Sequence, residues 1–416
     1  MASSSGGAKP RGAKARPRRP LIVQLRGRIF LKPGRDRPVH GGNPWIFSQA
    51  IARIEPPDLA AGDGVEVRDA AGQALGFGYY NPRTTIAVRM LAFDLNVAPA
   101  AIVRHRLEAA IAFRQRIITP ETNCYRMING DGDGLSGVVI DRYDDVLVLQ
   151  LLTAGAERMR SELIERLDER IAPRAILERS AGAVRRQEGL EDRTGLAAGT
   201  AVREVLVNEN GMRAMVDLEH GQKTGYFLDQ RENRRRVMRL ARGARVLDGY
   251  CYAGGFALAA LAGDAAEVTA IDTSAGALAS ARRNFELNRH DASRYTLIQT
   301  EVPQYLAAGG RKFDLVVIDP PPFARSVKDA ARAGHLYVEL NRLAMDAVAP
   351  GGSLLTFSCS AHFIGADFAR AVHLAQSRAR RDFRLVERLG PGPDHPILLG
   401  HAEGEYLTGL WLADLG

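Results

Sequence analysis

Runs of β-branched and aromatic residues, separated by turn clusters, open the first patterned part of the chain. LIVQLRGRIFL, GVEVRDAAGQALGFGYY and TTIAVRMLAF fall between residues 21 and 95, broken near residues 69–72 and 81–82. They predict an all-β unit the size of a small barrel. Its aromatic landmark is NPWIFS, from Asn43 to Ser48. Trp45 and Phe47 read first as barrel core, with a stacking platform for bases as the alternative.

Residues 99–200 change character. A helical stripe over 103–118, an apolar strand over 143–152, a charged amphipathic helix over 154–171 and a strand over 175–179 predict a compact α/β unit. The run NGDGDG at 129–134 tempts a calcium reading. It lacks the twelve-residue loop pattern and its closing Glu, so it reads as a glycine-rich turn and no metal site is expected.

From residue 201 a hairpin with an Asn-Gly turn, EVLVNENGMRAMVDL, leads into regular alternation. Strands are predicted at 245–249, 267–272, 295–299, 313–319 and 352–358, with late strands at 384–389 and 406–413. Helices are predicted at 255–262, 275–288, 302–308, 328–348 and 366–380. That rhythm predicts right-handed βαβ units in a Rossmann-like, mostly parallel sheet over 201–416. The fold class is α/β multidomain.

Composition changes this picture little. The chain has 46% hydrophobic and 25% charged residues, ordinary for a globular protein. No window approaches 18 consecutive apolar residues, so no membrane span is expected. Three scattered cysteines make neither a disulfide framework nor a zinc site, and a reducing cytoplasm fits best. The formal charge is +8, but residues 1–20 hold two lysines and four arginines without an acid, leaving an excess of two for the rest. A polyanionic partner is allowed, not demanded. That tail should be disordered. A solvated tail is the default reading; an RNA-contacting arm and an organelle transit peptide are the others.

The chemistry concentrates at strand ends, where open α/β sheets bind ligands. The strand VLDG (246–249) enters the turn YCYAGG, whose glycines let backbone approach a ligand at a helix N-terminus. It is not G-x-G-x-x-G, so a dinucleotide fits poorly. Asp248 ends that strand, Asp272 ends the next and can accept ribose hydroxyls, and Glu301 in the following turn could accept an adenine amino group. Singly, each acid could equally cap a helix. Together they favour a nucleoside ligand without a pyrophosphate. The fourth strand ends in Asp319 and three prolines, which force the chain out of the sheet, and TFSCS (356–360) delivers Cys359 to the same edge.

This arrangement resembles the class I S-adenosylmethionine-dependent methyltransferases, whose (Asp/Asn)-Pro-Pro-(Phe/Tyr) motif DPPPF looks like. The atom methylated is the discriminating question. An exocyclic amine needs only an acceptor and an aromatic stack, which Asp319, the Pro320 and Pro321 carbonyls and Phe323 could supply. C5 of a pyrimidine needs a thiolate adduct at C6. Cys359, at a strand end and flanked by serines, suits that role; an inert core cysteine is the bland alternative. Asp319 could hydrogen-bond N3 or the amino group of cytosine and assist protonation there. The base must be unpaired or flipped, with Phe323 a candidate stacking partner.

Residues 21–416 further resemble the bacterial 23S ribosomal RNA cytosine-5 methyltransferases. The matching stretches are NPWIFS, GLSGVVIDR (134–142), EHGQKTGYFLDQR (219–231), GYCYAGGF (249–256), AIDTS (270–274), IDPPPF (318–323), LLTFSCS (354–360) and DHP (394–396). The resemblance implies an RNA-binding PUA domain at 21–95, a central α/β domain at 99–200 and a methyltransferase domain at 201–416 with an antiparallel last strand. It implies S-adenosylmethionine as cofactor, 23S ribosomal RNA or a large-subunit assembly intermediate as partner, and Cys359 as nucleophile; a homodimer stays open. By the same resemblance Tyr226, Asp229, Arg231, Tyr250, Ala253, Gly254, Gly255, Phe256 and Thr273 belong to the cofactor cleft with Asp248, Asp272, Glu301 and Asp319. Gln222 and Lys223 line it too, Lys223 toward the substrate. From chemistry alone Lys223 and Arg231 read equally as phosphate contacts or surface charges, and His395 as a substrate neighbour or a structural histidine. Pro322 stands where relatives often carry Lys, Ala253 replaces a usual Thr, and no second cysteine sits beside Asp319. An RNA-binding assembly factor whose catalytic domain only senses the cofactor is the non-enzymatic rival.

Overall fold

The computed structural model describes residues 23–324, 327–360, 363 and 365–415; the tail at 1–20 lies outside them. Six strands between Leu25 and Ala92 form one sheet. Its two end strands, Trp45–Phe47 and Ile51–Glu55, are joined by a single short turn, giving a partly open barrel around Ile29, Val65, Val67 and Val88. Phe47 departs from the core expectation, being 39% exposed. Trp45 is half-buried at a junction, its ring edge-on to His401 at 4.3 Å and its indole N–H donating to Asp131.

The next sheet has five strands, Cys124–Asn129, Val138–Tyr143, Val146–Leu151, Ala175–Ser180 and Arg193–Gly199. The apolar run expected as a strand over 143–152 is the strand Val146–Leu151, entered from Val138–Tyr143 through a tight turn at Asp144 with φ 56°. The amphipathic helix at 154–171 breaks at Met159. In the glycine-rich turn Asp133 takes both terminal nitrogens of buried Arg114. The hairpin Glu204–Asp217 closes on Asn210 and Gly211, both at positive φ, as the Asn-Gly pair requires.

The sheet that carries the chemistry has seven strands: β1 (Arg245–Gly249), β2 (Glu267–Asp272), β3 (Tyr295–Gln299), β4 (Phe313–Ile318), β5 (Val348–Ser358), β6 (Phe383–Leu389) and β7 (Thr408–Asp414). Their order is β3-β2-β1-β4-β5-β7-β6, parallel except for β7, which pairs antiparallel with both β5 and β6. The helices are α1 (Arg231–Leu240), α2 (Gly255–Ala262), α3 (Ala275–Leu287), α4 (Val302–Ala308), α5 (Ala330–Ala347) and α6 (Ala366–Ala379). Two apolar cores lie on the sheet's faces, one around Val246, Phe256 and Phe357, the other around Leu247, Ile318 and Tyr337. Register brings the strand ends level: Gly249 pairs with Ile271 on one side and Ile318 on the other, and Ile318 with Thr356. Asp248, Asp272, Asp319 and Cys359 therefore reach one edge.

Candidate active site

The turn after β1 is tightly wound. Tyr250, Tyr252 and Gly254 all have positive φ, at 65°, 48° and 75°. A Cβ on Gly254 would lie 2.8 Å from the Ala281 methyl, so only glycine lets the loop sit on α3. Asp248 is fully buried beneath this turn; its Oδ2 accepts the Ala257 N–H at 2.8 Å, while Oδ1 has no partner among the described residues. Burial lifts its pKa to about 8. Asp272 is half-buried, its two oxygens accepting the N–H groups of Tyr252 and Ser274 at 2.9 Å each. Thr273 and Glu301 are exposed on the rim. Tyr250 is half-buried, and burial, with Glu301 nearby, raises its hydroxyl.

These features fit a bound nucleoside: an open acid at the β2 end, a second at the next turn, a glycine-lined backbone and the first N–H groups of α2. Phe256 does not face that space. Its ring stacks on Phe357 at 5.6 Å inside the core. Ala253 is buried, its carbonyl held by Asn284. Tyr226 is buried under the Arg234 guanidinium at 4.5 Å, and its hydroxyl sits 3.1 Å from where a Gly255 side chain would begin.

The connector before α1 supplies a wall. Lys223, at φ 53°, donates to Asp229 Oδ2 at 2.6 Å and lies over the Phe227 ring at 4.5 Å. Tyr406 donates to the same oxygen at 3.0 Å. Burial opposes its charge, yet the Lys223 ammonium holds Asp229 well below the usual carboxylate range. Gln222 is exposed and its N–H reaches the Tyr252 hydroxyl at 3.0 Å. Arg231 does not reach the cleft. It is 2% exposed, and Asp394, fully buried, takes both its terminal nitrogens at 2.8 and 3.0 Å. His395 is buried too, with Nδ1 3.2 Å from Asp394 Oδ1, away from any open substrate surface.

Asp319 lies half-buried just past β4, beside Asp229. Burial first, then that neighbouring charge, lift it to about 7. Its Oδ2 accepts from Gln230 Nε2 at 3.0 Å. The Cys359 thiol, half-buried past β5, donates to the Pro320 carbonyl at 3.6 Å. Burial and the Asp319 and Asp229 charges push it up to about 12, against the pull of Lys223. The serines flanking it point into the protein. Ser360 Oγ, fully buried, accepts the N–H groups of Phe323 and Ala324 at 3.0 and 3.2 Å, and the Tyr337 hydroxyl lies 2.9 Å from both Ser358 Oγ and Ser360 Oγ. The strand's alternation then turns Cys359 the other way. Pro320 is buried and Pro321 exposed, while Phe323 is half-buried against Tyr337, 4.8 Å between centroids.

A thiol and an acid facing a cleft beside a nucleoside cradle, on a sheet ordered β3-β2-β1-β4-β5-β7-β6, define an S-adenosylmethionine-dependent methyltransferase. The sequence model described by that name matches residues 185–405, and one described as a PUA-like domain matches residues 29–93. Over 387 residues the chain is 39% identical to Ribosomal RNA large subunit methyltransferase I of Photobacterium profundum, covering 92% of this chain and 98% of that protein. Proteins of the same name from Shigella dysenteriae serotype 1 and Escherichia coli O157:H7 are 38% identical over 388 residues, covering 92% of this chain and 97% and 98% of theirs. The chain belongs to the ribosomal RNA large subunit methyltransferase I family. A solved protein from Streptococcus mutans shares the fold, with a TM-score of 0.79 at 20% identity over 93% of this chain and 99% of that one.

Two contributors escaped sequence reasoning. Gln230 stands between two charged residues in LDQR, and nothing local marks it as a partner of Asp319. The other is the segment between β6 and β7, which reaches back to the connector, the central sheet and the barrel. Gly392 N–H donates to the Asp229 carbonyl, Asp394 Oδ2 accepts the Arg126 N–H, and Gly400 packs on Gly42. Only the quoted DHP hinted at it.

Proposed function

We propose that the protein methylates C5 of a cytidine in 23S ribosomal RNA, in the cytoplasm, through a transient bond between Cys359 Sγ and C6 of the base. The observation that carries this reading is the half-exposed thiol of Cys359 at the Pro320 carbonyl, beside Asp319. The PUA-like domain would hold the RNA, free or in an assembly intermediate, by backbone and shape.

The Cys359 thiol gives its proton to solvent, with the Lys223 ammonium favouring the thiolate, and the sulfur pair forms the bond to C6. Asp319, protonated below about pH 7, gives its proton to N3, which draws the C5=C6 electrons out of aromatic conjugation and leaves C5 enamine-like. S-adenosylmethionine, when held in that cleft, would supply a sulfonium-activated methyl as the acceptor for the C5 pair, with S-adenosylhomocysteine as the leaving group. Loss of the C5 proton to water then re-forms C5=C6, the Cys359 thiolate leaves and regains a proton from solvent, and the N3 proton returns to Asp319. Charge and protons balance: one cytidine hydrogen is released as a proton for each methyl gained. Asp272, with Glu301 and Thr273 at the rim, would hold the adenosine.

An exocyclic-amine transfer through the same DPPPF turn would need Phe323 free to stack on the base; its packing against Tyr337 weakens that reading. The test is bisulfite sequencing of 23S ribosomal RNA from cells with and without the gene. A cytidine that resists conversion only when the gene is present is expected. Methyl incorporation at a cytidine amino group instead, or none, overturns the proposal.

A further inference from the structure

We infer that Gln230 and Asn233 are positioning residues that dictate which oxygen of Asp319 carries its proton. The inference rests on the reading of Asp319 as the acid at N3. The chain of hydrogen bonds has a fixed direction. It begins at the Gly390 carbonyl, which can only accept, so the fully buried Asn233 presents Nδ2 there, at 3.0 Å. The same Nδ2 donates to Gln230 Oε1 at 2.6 Å. Gln230 must then turn its NH₂ toward Asp319, where Nε2 donates to Oδ2 at 3.0 Å. Oδ2 is thereby held as an acceptor. A proton on Asp319 has one place left, Oδ1, which no described residue hydrogen-bonds. A neutral acid so arranged offers Oδ1–H to a ring nitrogen and keeps a lone pair of Oδ2 for an adjacent amino group, the edge that cytosine presents.

Other charges surround this carboxyl: Asp229 and Lys223 from the connector, Arg234 from α1, Asp248 from β1, and the Cys359 thiol and Tyr337 hydroxyl from β5 and α5. Among the described residues only Gln230 hydrogen-bonds its side chain, so only Gln230 selects between the two oxygens. A donor to a carboxylate also favours the ionised form. Gln230 therefore offsets part of the upward push from burial and Asp229.

The test is the pH dependence of single-turnover methyl transfer to in vitro transcribed 23S ribosomal RNA, with Asp319→Asn as reference. Wild type should lose rate along a limb as Asp319 ionises, and Asp319→Asn should lack that limb. Gln230→Met removes the donor at nearly constant volume and should move the limb upward by roughly one to two pH units, the KM for S-adenosylmethionine holding within about twofold. Gln230→Glu keeps the acceptor for Asn233, covers the case of a Met variant that does not fold, and should move the limb further in the same direction. A uniform fall in rate with the limb unmoved in both variants overturns the positioning role alone. A limb that survives in Asp319→Asn overturns the reading of Asp319 and this inference with it.

Discussion

Replacing Ser360 with alanine should damage catalysis more than its distance from the reacting atoms suggests. Ser360 Oγ is the acceptor for two consecutive N–H groups of the proline turn, those of Phe323 and Ala324. Without it both donors lose their partner. A buried donor left unsatisfied costs about 1–3 kcal/mol. Ala324 is 2% exposed and would bear that cost in full, whereas Phe323 is half-buried and water can reach its N–H. The expected loss is therefore about 2–3 kcal/mol, or roughly 5–10 °C in the melting of the catalytic domain. The turn carries Pro320 and Asp319, so its relaxation also shifts the acid against the thiol, and a displacement near 1 Å costs about 100-fold in rate. Single-turnover methyl transfer, beside thermal melting of the same sample, measures both. Ser358→Ala is the control: it loses contacts to Tyr337 and the Phe363 carbonyl but leaves both turn donors satisfied. A Ser360→Ala protein with wild-type melting and a rate within twofold of wild type would refute the clamp.

Three further outcomes are expected. Arg231→Met takes both guanidinium donors from the fully buried Asp394 carboxylate, leaving it the Arg126 N–H and His395, and should cost about 3–5 kcal/mol of stability while calorimetry finds S-adenosylhomocysteine affinity within about twofold; a selective loss of affinity would put Arg231 back in the cleft. Asp272→Asn should weaken that ligand by about 10–150-fold, the worth of a hydrogen bond to a charged acceptor, with RNA retention on filters unchanged; equal losses in both assays would contradict the ribose assignment. Burial lifts Asp248 to about 8 while the unfolded carboxyl ionises near 4, so the folded state binds the extra proton and stability falls as pH rises between those values. Asp248→Asn, which retains an acceptor for the Ala257 N–H, should flatten that fall in denaturant melts from pH 5 to 8, and a slope equal to wild type would show that the group does not titrate there.

The catalytic sheet was readable because its strands are apolar runs cut off by glycine or proline, so Asp248, Asp272, Asp319 and Cys359 stood out at their ends. The serines beside Cys359 were visible as flanks; that Ser360 grips the proline turn depends on a register between β4 and β5 that no local pattern encodes. Helix α1 was missed because RENRRRVMRL looks like a solvated run. Two of its arginines are in fact buried, Arg231 on Asp394 and Arg234 on Glu209, 163 and 25 residues away in the chain. Burying an arginine needs a partner acid, and that partner's position is a tertiary fact. The same distance hid the setting of Trp45, whose surroundings include His401 and Asp131. Residues near the cleft thus separated into strand ends, which local sequence marks, and braces such as Gln230, Asn233 and Asp394, which it does not.

Covalent trapping tests the central chemistry most directly. Incubated with S-adenosylmethionine and 23S ribosomal RNA transcribed with 5-fluorocytidine, a sulfur-adduct enzyme cannot lose fluorine from C5 and stays bonded to the base. Wild-type protein should migrate with RNA under denaturing conditions, and Cys359→Ala, folded by its melting curve, should not. Methylated RNA released freely by the wild type, or a trapped complex that persists in Cys359→Ala, would contradict the account.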